Sequence, residues 1–203
     1  MKTSLTVLAT LAVAFGAFAQ GTVYFGNGPM HLVTLDPRGV AYVKSGYEAL
    51  AGQPAPQIGQ PLDVLGALTA TLWAGTTEQN MSLQGTFTPA GQEGLDAGIL
   101  PWVRVPLTGV PFGPAFFRFY LWETAAGSYE AAQSGNQWWH GSTPVFTLFV
   151  SNFAPSVLSS STDWAGPIYL STAIPEPSTF VLAGLGIASL LLFRRRGRFE
   201  CRR

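Results

Sequence analysis

Glu123 and Glu130, seven positions apart, are the residues of this 203-residue chain nearest to a catalytic pattern. A glycoside hydrolase needs only two carboxyl groups, about 5–5.5 Å apart when configuration is retained. Here Glu123 closes the run AFFRFYLWE and Glu130 sits in GSYEAAQSG, so the plainer reading is a strand end and a helix cap. His31 and His140, the only histidines, lie far apart and in no H-x-x-x-H spacing. Serines are plentiful, but there is no G-x-S-x-G elbow and no Walker or dinucleotide glycine pattern. The one cysteine is Cys201, so a thiolate metal site elsewhere is excluded. We therefore expect no catalytic residue, no cofactor and no metal.

Six tryptophans are many for such a chain. Trp73 and Trp122 fall within strand-like runs and are expected in the core. Trp138 and Trp139 stand in NQWWHGS, a Gly/Ser/Asn-rich stretch. Indole faces on a loop suit stacking on sugar rings, so these two are the candidate glycan contacts.

The elements that must hold these residues read as short strands. Val23 and Phe25 share one face of GTVYFGN. HLVTL and VAYV follow around the turn Asp36-Pro37-Arg38-Gly39. ALAGQPAPQIGQPLD reads as a loop, and in LTATLWAG the residues Leu68, Ala70, Leu72 and Ala74 alternate with Thr69, Thr71 and Trp73. LQGTFTPAG and ILPWVRVPL come next, the second confined to an edge or ended by Pro101 and Pro106. In AFFRFYLWE, Phe117, Phe119 and Leu121 point one way, and Phe116, Arg118, Tyr120 and Trp122 the other. Ser128, Glu130 and Gly135 mark a short helix. PVFTLFVS and IYLS supply the last strands. The expected fold is mainly β: an antiparallel, sandwich-like single domain over residues 20–173, with one short inserted helix.

The two ends differ from this body. Met1 and Lys2 precede an apolar run from Leu5 to Phe18, and Ala17-Phe18-Ala19 offers the small-x-small site of a secretory signal. Residues 1–19 are thus an expected signal peptide, leaving a chain that starts at Gln20. At the other end, residues 179–193 are uncharged, with Thr179 and Ser189 the only polar groups. As a helix they span about 22 Å, short against a ~30 Å hydrocarbon core yet tolerable with snorkelling arginines. Arg194, Arg195 and Arg196 then place the tail in the cytoplasm.

The order Pro175-Glu176-Pro177-Ser178, apolar stretch, arginine block resembles the PEP-CTERM sorting signal of bacterial surface proteins. The resemblance covers residues 174–203. It implies recognition by an exosortase in the membrane, cleavage near the triplet, and a setting in which an exopolysaccharide is a further partner. The body is similar, less specifically, to β-rich proteins of that kind in GTVYF, TATLWAG and YEAA. That likeness implies no activity.

Formal net charge is zero, but the charge is unevenly placed. The body carries four basic and nine acidic residues, −5 in all, while the tail from Arg194 onward is +5. A body with so few cations excludes nucleic acid as a partner. The expectation is an exported, non-enzymatic cell-surface or matrix protein, anchored first and then processed. A carbohydrate-binding module using loop aromatics is the alternative, and a glycan-active enzyme the second. An exposed aromatic strip favours the former and a pocket of clustered acids the latter.

Overall fold

Alternation of bulky residues builds the longest strand, β6 (Gly113–Glu123), which buries Ala115, Phe117, Phe119 and Leu121 and leaves Phe116, Arg118, Tyr120 and Trp122 half-buried on its other face. The computed structural model describes residues 21–90, 96–135, 137–151 and 156–172, all within the unit Met1–Ala173. Around β6 stand β1 (Thr22–Phe25), β2 (Val33–Leu35), β3 (Leu68–Gly75), β4 (Ser82–Phe87) and β5 (Val103–Pro106). Helix α1 (Tyr129–Ser134), β7 (His140–Ser142), β8 (Phe146–Val150), β9 (Ser156–Val157) and β10 (Ile168–Leu170) follow it.

β4, β3, β6 and β7 are neighbours in a five-stranded antiparallel sheet. Eleven residues of β6 are long enough to serve two partners on one side: its first half pairs with β8 and its second with β7. A three-stranded sheet runs β5-β1-β9 and a two-stranded one β10-β2. Among the described residues the fold is mainly β with one short helix, as the pattern predicts. It departs from a wholly antiparallel arrangement, since β1–β9 and β2–β10 are parallel. Parallel neighbours need long crossovers, and the many intervening residues supply them.

The sheets meet over aromatic rings. Phe25 on β1 lies 4.0 Å from Phe87 and 4.4 Å from Phe119, centroid to centroid, both edge-on. Phe146 and Trp164 extend the cluster, each within 5.6 Å of Phe119. Full burial of Phe25, Phe119, Phe146 and Trp164 is worth ~2–3 kcal/mol each. β5 is an edge strand that stops at Pro106, in keeping with the missing ladder donor. VAYV, expected as a strand, is instead a 3-10 turn over Val40–Tyr42. Tyr42 N–H donates to the Gly39 carbonyl, and Arg38 spreads over the Tyr42 ring at 4.1 Å. The close pairing of β7 with the end of the two-stranded sheet rests on Gly141: a Cβ there would stand 2.4 Å from the Tyr169 carbonyl oxygen.

Candidate functional site

The outer face of the five-stranded sheet holds a cleft of about 350 Å³. Period-two geometry puts Thr71 and Trp73 of β3 beside Tyr120 and Trp122 of β6, since Thr71 pairs with Tyr120 and Thr69 with Trp122. β4 contributes Leu83 and Thr86. One extra residue on β4, Gln84, shifts the register beside Trp73. Such a bulge bends an edge and re-aims its neighbours. Gln84 is held in place by Thr108 N–H, which donates to its Oε1 at 2.6 Å.

Helix α1 closes one side. Ser128 Oγ accepts from Ala131 N–H at 3.1 Å, a helix N-cap, and Ala132 is fully buried. That seats Tyr129 with its ring 4.6 Å from Tyr120. The Trp73 and Tyr120 rings stand almost perpendicular, at 82° and 6.1 Å. The cleft therefore has four aromatic walls, with Thr71, Thr86 and Ser128 also in its lining, and one charged lining residue, Glu130. Behind Tyr120 the Arg118 guanidinium lies 4.9 Å from the ring centroid and donates to Ser142 Oγ at 3.3 Å.

The two acids do not form a pair in this cleft. Glu123 is bound by the Lys44 ammonium and accepts from Trp139 N–H at 3.2 Å, and it does not line the cleft. Only Glu130 does. The histidines serve the framework. His31 Nε2 is 2.7 Å from the Trp164 carbonyl, an oxygen that only accepts, so this nitrogen carries the proton. By the same reasoning His140 Nδ1–H donates to the Trp138 carbonyl at 3.2 Å. Burial pushes the His140 pKa down, against the opposing effect of that bond. Among the described residues no three His, Cys, Asp or Glu side chains gather to hold a metal.

The tryptophans are not placed as the sequence suggests. Trp139 is 2% exposed and packs edge-on against Tyr47 at 5.6 Å, so its face is not open to a ligand. Trp138 is half-buried, 5.5 Å from the Lys44 ammonium. Trp73 and Trp122, expected in the core, line the cleft instead. The missed indication was in the strands themselves: β3 and β6 both carry aromatic side chains on the face opposite their buried aliphatic and phenyl residues, and YEAA follows close behind.

Residues 173–196 match the family model of the PEP-CTERM protein-sorting motif. No curated protein and no solved structure matches the chain. The PEP-CTERM match contains Pro175, Glu176, Pro177 and Ser178 as well as Arg194, Arg195 and Arg196. These residues lie outside the described ones, as do the expected signal site at Ala17 and Ala19, the apolar stretch 179–193 and Cys201. Among the described residues no helix is long and apolar enough to cross a membrane. The PEP-CTERM motif implies processing by an exosortase, a membrane enzyme.

Proposed function

We propose that this is an exported, non-enzymatic surface protein, sorted through its PEP-CTERM motif, whose β-rich body binds a saccharide in the outer-face cleft. The match at residues 173–196 supports the sorting half. In this reading the chain leaves the cytoplasm behind a cleaved signal, stays briefly on one C-terminal span with its arginines inside, and reaches the surface or matrix after cleavage.

The aromatic walls of the cleft carry the binding half. Trp73, Tyr120, Trp122 and Tyr129 supply flat apolar faces, which suit the C–H faces of a sugar ring, while Thr86, Ser128 and Glu130 suit its hydroxyl groups. At about 350 Å³ the space lies at the lower end of ligand pockets. A hydrolytic role is less well supported, because Glu123 is engaged by Lys44 and leaves Glu130 without a carboxylate partner in the cleft.

Titration of the full chain with neutral oligosaccharides is the test. Binding should weaken about tenfold in Trp73→Ala, the loss of one well-placed aromatic contact. Wild-type protein that binds no neutral oligosaccharide, or equal binding by both proteins, removes the saccharide reading of the cleft. Release of reducing ends on incubation would reinstate the enzyme.

A further inference from the structure

A second aromatic surface lies on another sheet. Tyr24 of β1 and Arg104 of β5 are direct cross-strand partners, so their side chains share a face. Trp102, two residues before Arg104, completes the group with its ring 6.3 Å from that of Tyr24. Its indole is 54% exposed, yet it is pinned. The indole N–H donates to the Asn27 carbonyl at 3.2 Å. Gly26 lies directly beneath: a Cβ there would be 2.8 Å from the indole Cδ1. With its N–H engaged and one edge packed on Gly26, the ring presents a largely apolar exposed surface. A preorganised face loses little entropy on contact.

Charge narrows what would meet it. Four cations occupy the body. Arg38 and Lys44 are ion-paired, and Arg118 is half-buried against Tyr120 and Ser142. Arg104 is exposed and forms no ion pair with any described residue. In an acidic body, Arg104 is thus an exposed cation on the strand face that also carries Tyr24, two residues along from Trp102. A planar fork of N–H donors matches a carboxylate.

We propose that Trp102, Tyr24 and Arg104 form a flat site for an acidic saccharide, with the ring face of a uronate unit on Trp102 and its carboxylate on Arg104. Three side chains fall well short of the ~800 Å² per partner of a stable protein interface, which favours a small repeating unit over a folded protein. The site is independent of the cleft: it lies on a different sheet and differs in charge.

The experiment titrates the full chain with an oligouronate and with a neutral oligosaccharide of matched length. Expected for the oligouronate is a weakening of about tenfold or more in Trp102→Ala and in Arg104→Gln, and no change in Trp73→Ala. Added salt should weaken the oligouronate and spare the neutral ligand. Unchanged thermal unfolding checks the fold, and Arg104→Gln, which alters only an exposed head group, decides if Trp102→Ala does not fold. The proposal is overturned by absent oligouronate binding, by binding that only Trp73→Ala disturbs, or by self-association that Trp102→Ala abolishes with no effect on sugar. Failure of the cleft shows separately, as neutral binding indifferent to Trp73→Ala.

Discussion

Leu100 N–H donates to Asn27 Oδ1 at 2.6 Å, across 73 positions of sequence. The Asn27 amide nitrogen in turn donates to the His31 and Gly98 carbonyls, at 2.8 and 2.6 Å. A fully buried side chain thus fastens the end of β1 to the segment that leads into β5.

Asn27→Ala should therefore cost about 3 kcal/mol, since it leaves buried donor and acceptor groups unpaired. Urea denaturation is the measurement, and a midpoint unchanged from wild type would contradict the bracket role. Asn27→Asp should cost at least as much, because a carboxylate cannot donate to those two carbonyls.

Trp139 and Trp73 should part company. Trp139→Ala opens a hole in the core and should destabilise by ~3–5 kcal/mol. Trp73→Ala, on the cleft, should cost less stability and reduce neutral saccharide binding. Calorimetric unfolding and titration of both variants separate the two roles, and a reversed pattern would return the glycan contact to Trp139.

Two groups set opposite ends of the acid response. Burial opposes the charge of Asp36, but its hydrogen bonds and ion pair with Arg38 prevail and hold its pKa below the usual value. Its contribution is present above about pH 3.9 and is lost as pH falls through the lower folded value. Arg38→Met removes the guanidinium but keeps the bond from the backbone N–H of residue 38 to Asp36 Oδ1, so the Asp36 pKa should rise and that slope should flatten. His140, lowered mainly by burial, acts higher. The folded state prefers its neutral ring, so stability is full above about pH 6.5 and declines as pH falls below it. Urea midpoints at about pH 7.5 and 5 should differ in wild type by more than in His140→Asn.

The tail is tested by mass. Glu176→Ala should leave membrane insertion intact, because Glu176 precedes the apolar stretch, and should stop processing. A larger form that retains Cys201 should then accumulate in the membrane fraction. Neutralising Arg194, Arg195 and Arg196 should instead weaken orientation. The processed body, at −5 without the tail, should focus well below the full-length pI of about 6.7. Identical mass and fractionation in Glu176→Ala would leave a plain anchor.

Alternation made β3 and β6 legible in the sequence, because one buried face imposes a period of two. Ser128 and Gly135 bound the helix where their side-chain and backbone chemistry places them. Short pieces were less visible. β7, at HGS, and β9, at SV, are strands only because β6 and β1 offer them partners, and three or two residues carry no period of their own. VAYV has strand propensity, yet the turn after Gly39 and the Arg38–Tyr42 contact hold it in a 3-10 conformation. The cleft was hidden for a related reason. A tryptophan in a strand is core or surface according to what covers that face, and here α1 covers only one side of it.

The parallel ladders have a consequence for timing. β10 pairs with β2 and β9 with β1, so the first strands of the body complete their sheets only with the last. These are contacts of very high sequence separation, which form late and slowly. A chain threading through a membrane pore thus cannot complete these two ladders until Leu170 has emerged. β10 ends three residues before the sorting match begins at 173. Completion of these ladders and exposure of the sorting motif therefore fall at nearly the same point of chain emergence.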